Sequence, residues 1–436
     1  MDGRINKFLL WKVFLTYILV TLICYLFGPI KYSQDYPLKS TVFMICFLLV
    51  ARFFYALGCR VKINPQRRIK FGSKFTFKLN TEKFVSFCLV FSFVLCGMLL
   101  LENIVQLGFS FSGNFFEQMA LTYTDTKSAN TISSYIVEYF GWTKTVTLVG
   151  GMYYFKKLSK KEKCFLIGTI VFTVLYVIMY VGSQKQIIDI MIYVLVGTYL
   201  RSLKNGNRTT DKLKRNIKYA AVITILVLIV GNVIVERFNL WSDRYNSAAL
   251  ISTGQIDFDH ILFSALPFPV AFAITQFISY VSQGYRGLSL CLSIPFKWAY
   301  GMGSSFRFMR DFSRWTGISQ SVLEVSYPVR MQSQFGVNAY AYWHTIFPWV
   351  ASDFTWVGAI IVVCVFIFYW AKAWNEFIQY ETLPSILVVA HLSIMMLYIP
   401  CNNQLFQTRE SIVTTFFVLI FWFVFHGVIQ DSQLEG

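Results

Sequence analysis

Residues 236–342 hold seven arginines (Arg237, Arg244, Arg286, Arg307, Arg310, Arg314 and Arg330) against a single lysine, Lys297. Residues 156–163, by contrast, hold five lysines and no arginine. A guanidinium presents a rigid fork of donors that matches phosphate, whereas an ammonium is a point charge. An arginine-selective stretch of this length points to an anionic, phosphate-bearing ligand. Arg307, Arg310 and Arg314 are spaced by three and four, which places them on one helical face. Like charges stacked in this way repel unless an anion lies between them, or unless Asp311 and Glu324 pair with them on a solvated face. Three more cations stand at predicted helix ends: Lys185 in GSQKQ, Arg237 in VERF and Arg409 in QTRE. Such ends meet at one membrane surface, where they can contact a lipid diphosphate or simply snorkel to water.

A ligand of this kind calls for a general base, a group able to deprotonate or orient a hydroxyl. The segment 338–358, NAYAYWHTIFPWVASDFTWVG, supplies His344 and Asp353, and Glu324 lies nearby. Asp353 stands close to the predicted start of a helix, where a carboxylate also serves as a cap. Asn338, Tyr340, Tyr342 and Trp343 suit a glycan surface, with the rings stacking on sugars. The same aromatics fit a belt at a membrane interface. Asp257-Phe-Asp259 beside His260 is a thin signal for a metal, and none is expected. Asp189 and His391 fall inside apolar runs, where ionisable groups are functional candidates by default, but they read as too deep for the outer face. No phosphate loop, dinucleotide fingerprint, HExxH or nucleophile elbow is present, and no cofactor is expected.

The elements that must position these residues are apolar helices. The chain has 436 residues, of which 56% are hydrophobic and only 14% charged. Apolar runs of bilayer-spanning length recur, so the expected fold class is all-α and polytopic, with 10–12 transmembrane helices. Ten crossings are predicted, at about 8–27, 38–58, 84–102, 133–155, 164–182, 187–203, 217–235, 354–373, 384–400 and 410–429. Residues 260–300 are apolar enough to add a hairpin or a re-entrant pair. Three parts follow: helices one to seven over 1–235, a large loop over 236–353, and the last helices over 354–436.

The net charge of +17 is an effect of topology. Residues 59–83, 156–163 and 201–218 carry twenty of the 39 basic residues. They follow predicted helices two, four and six, so all fall on one side. Positive residues mark the cytoplasmic side, which puts both termini in the cytoplasm and the large loop outside. Nucleic acid is not an expected partner. The nine cysteines show no CxxC spacing and sit mostly within apolar runs, against a zinc site or a disulfide framework. Residues 1–27 lack a small-residue cleavage site and read as a retained first helix.

With these residues in view, the chain resembles the Wzy-type O-antigen polymerases, the oligosaccharide repeat-unit polymerases of bacterial inner membranes. The resemblance rests on the helix plan, the late large loop, and Asn338-x-Tyr340 followed by Asp353-Phe354 and Gly358. That pattern is similar to the family's NxY…DFG..G entry into a helix, with Thr355 in place of the usual glycine. Residues 182–186, GSQKQ, resemble the family's GSR/K turn. The resemblance implies the fold of GT-C-like membrane glycosyltransferases, with a periplasmic loop over the site. It implies metal-independent joining of undecaprenyl-diphosphate-linked oligosaccharides, one as donor and one as acceptor. A chain-length regulator in the membrane is a further implied partner. On this reading Arg310, Arg314, Arg307, Arg237, Lys185, Arg330, Arg409 and Arg286 serve the diphosphate. A flippase for lipid-linked glycans and an O-antigen ligase remain as alternatives.

Overall fold

The computed structural model describes residues 5–32, 34–63, 69–71, 75–77, 79–109, 115–124, 131–205 and 254–427. The described chain is mostly helical. The predicted crossing at 217–235, together with Arg237 and Arg244, lies outside the described residues. Among the described residues six helices are long and apolar enough to cross a bilayer: α1 (Leu9–Phe27), α2 (Pro37–Arg60), α3 (Thr81–Leu107), the run Lys160–Val181, the run Lys185–Lys204, and one over Phe347–Tyr380. No more than 44% of any of these apolar windows is buried. More than half of each is therefore at least partly exposed, apolar surface that lipid suits and water would penalise.

The remaining elements complete a bundle. After α3 come α4 (Phe115–Thr124), α5 (Ile132–Phe140) and α6 (Trp142–Tyr153). The chain continues with α7 (Lys160–Tyr176), a π-helical turn (Val177–Val181) and α8 (Gln184–Asn205). Beyond residue 253 follow α9 (Ile261–Ala265), α10 (Phe268–Cys291), α11 (Phe306–Thr316) and α12 (Tyr327–Phe335). Last come α13 (Phe347–Tyr380), α14 (Leu383–Tyr398) and α15 (Arg409–Phe425). Two short antiparallel ribbons pair Ile30–Lys31 with Gln255–Ile256 and Ile69–Phe71 with Phe75–Phe77.

Helices α2 and α13 form the spine. Gly58 permits their close approach, since a Cβ there would lie 2.4 Å from the Phe368 carbonyl oxygen and 2.8 Å from the Ala371 Cβ. Phe14, Tyr55 and Trp370 pack edge to face beside this contact, the geometry that ring quadrupoles favour. The described ends of the basic segments, at residues 60–63 and 201–204, lie at one end of the bundle. There Lys204 pairs with Glu381 at 2.5 Å, and the Tyr153 hydroxyl donates to Glu381 at 2.7 Å. Residues 61–63 are held to α13 by Asn375 and Tyr380.

Three elements differ from the sequence expectation. The crossing at 133–155 is two helices, α5 and α6, broken at Gly141. The apolar stretch 260–300 forms no hairpin. It holds one 24-residue helix, α10, and Pro295 lies in the irregular chain beyond it. The helix expected at 354 begins at Phe347 and is bent at Thr355, whose φ of 61° and ψ of 174° are non-helical. Asp353 is thus on the last turn of the first segment and not at a helix start.

That Thr355 conformation is one that glycine adopts freely and a β-branched residue does not. It occurs where the DFG-like pattern has glycine. Thr355→Gly should relieve the strain, at the loss of a weak cap from the Thr355 hydroxyl to the Gly358 amide at 3.5 Å. The expected net gain is about 1 kcal/mol, read as a rise in Tm of the detergent-solubilised protein. A fall in Tm would mean that the threonine is comfortable there.

Candidate functional site

At the end of the bundle away from the basic segments lies a polar cavity of about 390 Å³. Its walls come from the middle of α3, from α5 and α6, and from the starts of α8 and α15. Arg307 of α11 and His391 of α14 complete it. The N-terminal ends of α6, α8 and α15 all reach it, and a helix start carries partial positive charge.

Four cations line this cavity, and each is met by a carboxylate. Arg409 sets a bidentate fork on Asp311, at 3.0 and 2.8 Å, and also donates to Glu138. Arg307 donates to the same two carboxylates, at 3.1 Å to Asp311 and 3.2 Å to Glu138. Lys144 pairs with Glu410 at 2.7 Å and Lys185 with Asp189 at 2.6 Å. Deeper in the wall, the Tyr193 hydroxyl meets His391 Nδ1 at 2.7 Å, and His391 Nε2 meets the Thr415 hydroxyl at 2.9 Å. Burial raises the Asp311 carboxyl, and the contacts from Arg409 and Arg307 more than reverse this, so it lies below the usual carboxylate range.

The start of α11 is fixed from three sides, and this aims Arg307. Asp353 accepts the Gly303 amide at 3.0 Å and the Ser304 hydroxyl at 2.5 Å. Asn403 donates to the Ser304 carbonyl at 3.1 Å. Ser305 caps α11 by accepting from the Phe308 amide at 3.1 Å, and its hydroxyl donates to the Phe406 carbonyl.

Of the residues singled out in the sequence, Arg307, Arg409 and Lys185 are brought together at the cavity. Arg310 and Arg314, on the same helix as Arg307, are exposed outside it. Arg286 and Arg330 are buried elsewhere and donate to backbone carbonyls, those of Gln34 and Pro295. Asp353 has both oxygens engaged by the 303–304 turn. Glu324 is exposed on a short 3-10 helix. His344 is fully buried beside Gly287, where a Cβ would lie 2.6 Å from its Cα. Asn338 accepts from the Tyr340 and Ala341 amides. Tyr340 packs on Phe306, and Trp343 lies on Tyr280 at 4.0 Å. Tyr342 is half-buried against the core. None of these aromatics lines the cavity. Asp257 pairs with Lys31, and His260 caps α9. Among the described residues no group of three or more histidine, cysteine, aspartate or glutamate side chains is gathered as a metal site.

The sequence reading passes over Glu138, Lys144 and Glu410. The first two lie inside the predicted crossing 133–155, so the rule that intramembrane charges are functional candidates points to both. Comparison of the chain with family models, curated proteins and solved structures finds no match.

His344 yields a pH prediction. Burial pushes its imidazole down to about 4 from 6.5, and Nε2 has no hydrogen-bond partner. A histidine kept neutral in the fold contributes stability above its unfolded pKa. That contribution is lost as pH falls from about 6.5 to about 4. In His344→Leu this slope should vanish, a difference of roughly 2–3 kcal/mol across the window. Tm against pH for the two proteins tests this, and parallel curves would reject it.

Proposed function

We propose that the protein is a polymerase of polyprenyl-diphosphate-linked oligosaccharides, acting from the inner membrane of a bacterium with the cavity on the periplasmic side. The observation that carries this reading is the cavity itself. Two arginines and two lysines meet three helix N-termini within an apolar bundle, at the end opposite the basic segments. By the positive-inside tendency, that end faces away from the cytoplasm. A volume of about 390 Å³ falls within the range of small-ligand sites. Further support comes from Thr355, whose backbone adopts a glycine conformation where the resembled pattern has glycine.

In this reading the diphosphate of the donor lipid lies against Arg307 and Arg409 and takes the place of part of the Glu138 and Asp311 contacts. The acceptor hydroxyl attacks the anomeric carbon of the donor sugar, and the sugar–oxygen bond to the lipid diphosphate breaks. Negative charge grows on the leaving diphosphate, where preorganised cations lower the barrier most. The base is a cavity carboxylate. Glu138 is held by both arginines and Asp189 by Lys185. Glu410 meets Lys144 through Oε1 at 2.7 Å. We assign Glu410 as the base, beside Arg409 on the same helix turn. Asp353 positions α11, and with it Arg307. The GT-C-like fold and the large periplasmic loop belong to this proposal, as does the chain-length regulator. An O-antigen ligase would use the same chemistry on a different acceptor.

One observation favours the second reading, a transporter for lipid-linked glycans. The break at Gly141 stands beside the partly buried ion pairs, and interrupted helices flanking a charged midsection are a feature of transporters.

Purified protein supplied with lipid-linked repeat units separates the two. Ladder formation is expected of the wild type. Arg409→Ala should slow it by about one to two decades, the worth of a charge-assisted contact felt in the transition state. Arg409→Lys should not restore it fully. Glu410→Gln should retain lipid-linked substrate binding but turn over about 10²–10⁴-fold more slowly. Flipping of the lipid-linked unit across proteoliposomes with no ladder would decide for the transporter.

A further inference from the structure

A second cavity, of about 640 Å³, lies at the basic end, some distance along the bundle from the polar cavity. Its polar lining is Lys7, Arg52, Arg60, Lys62, Asn375 and Gln379. Four cations surround it, and no carboxylate is among its lining residues. In the polar cavity every cation has a carboxylate partner; here no ion pair is formed by these four among the described residues. Cations gathered without a counter-charge repel one another, so the arrangement is short of an anion.

The walls are built and not incidental. The Lys7 carbonyl accepts from the Tyr55 hydroxyl at 2.9 Å, which fixes the chain entering α1. Asn375 donates to the Val61 carbonyl at 3.2 Å and Tyr380 to the Ile63 carbonyl at 3.2 Å. Those two bonds hold the strip that carries Arg60 and Lys62. The Arg52 guanidinium lies 4.3 Å from the Phe8 ring centre and 5.8 Å from that of Trp11. Stacking of this kind pre-orients the fork and leaves its edge free for phosphate.

Position decides between a soluble anion and a lipid. Arg52 lies eight residues, about 12 Å, inside the end of α2 at Arg60, so the pocket extends into the depth of the apolar helices. Next to it Leu49, Phe53 and Leu57 of α2 are exposed apolar side chains, a surface on which acyl chains can lie. Basic pockets between helices at the edge of a membrane suit anionic headgroups. We propose that this pocket binds the phosphodiester headgroup of an anionic phospholipid in the leaflet at the basic end, with Arg52 and Arg60 as its principal contacts. This proposal stands apart from the reading of the polar cavity.

The test measures thermal unfolding of the full-length protein in neutral detergent against added phosphatidylglycerol, phosphatidylcholine or inorganic phosphate. Phosphatidylglycerol should raise the Tm in a saturable way, and the other two should not. In the double variant Arg52→Gln, Arg60→Gln the half-saturating phosphatidylglycerol concentration should rise roughly thirtyfold, the effect of removing two cations near an anionic lipid. Its Tm without lipid reports whether it folds. Should it not fold, Lys62→Gln alone takes its place, with a rise of roughly fivefold expected. An equal response to phosphatidylcholine, or a lipid response unchanged in the variants, would overturn the site. A response to inorganic phosphate matching that to phosphatidylglycerol would overturn the lipid assignment in favour of a soluble phosphate.

Discussion

The arrangement around the polar cavity depends on one constraint: charges taken into an apolar bundle must be compensated. A single ion moved from water into such surroundings costs several kcal/mol even after relaxation. Arg307 and Arg409 meet this constraint by sharing Asp311 and Glu138. The sharing ties together three elements far apart in sequence: α5 through Glu138, α11 through Arg307 and Asp311, and α15 through Arg409. Losing one member leaves a partly buried charge with fewer partners and also unlinks these helices. Gly141, between α5 and α6, leaves room for the Glu410 side chain against it.

A second chain of cause runs from α13. The bend at Thr355 leaves Asp353 at the close of a short helical segment, turned toward the 303–304 turn. Its two oxygens hold Gly303 and Ser304, and these lead directly into the cap of α11 and thus into Arg307. The strained residue and the candidate phosphate contact are therefore coupled through four residues of chain and one carboxylate. Strain at one backbone position is tolerated where surrounding contacts over-determine it.

How much of this was legible in the sequence varies with the physics involved. Apolar length is additive along the chain, so the long helices α1, α2, α3 and α13 can be read from it, with boundaries displaced by up to seven residues. Arg307 was legible as a candidate phosphate contact because an arginine-rich, lysine-poor outer stretch needs a reason, and Arg409 because it stands at a helix end. Their carboxylate partners were not, since Glu138 and Arg409 are brought together only by the packing of α5 on α15. Arg310 and Arg314 share the helix of Arg307, and spacing alone cannot tell which side of it faces the bundle. The stretch 260–300 misleads for a related reason. Hydropathy registers the apolar residues 287–300 but not Pro295 and the two glycines after it, Gly301 and Gly303, which favour irregular chain.

The two ends of the molecule answer the problem of charge in opposite ways. At the basic end the four cations around the second cavity have no carboxylate partner among the described residues, and solvent can supply counter-charge there at little cost. At the polar cavity the protein supplies them itself, so the site is nearly balanced when empty. Balance of this kind bears on turnover. An anion bound only by bare cations in an apolar setting would be released slowly, because its departure would expose uncompensated charge. On the proposed function, a departing diphosphate would be replaced by Glu138 and Asp311, carboxylates already within hydrogen-bond reach of the same guanidinium groups. The free energy lost on release is then partly returned. A site built to bind an anion tightly would omit those carboxylates; one built to bind and release it repeatedly would keep them.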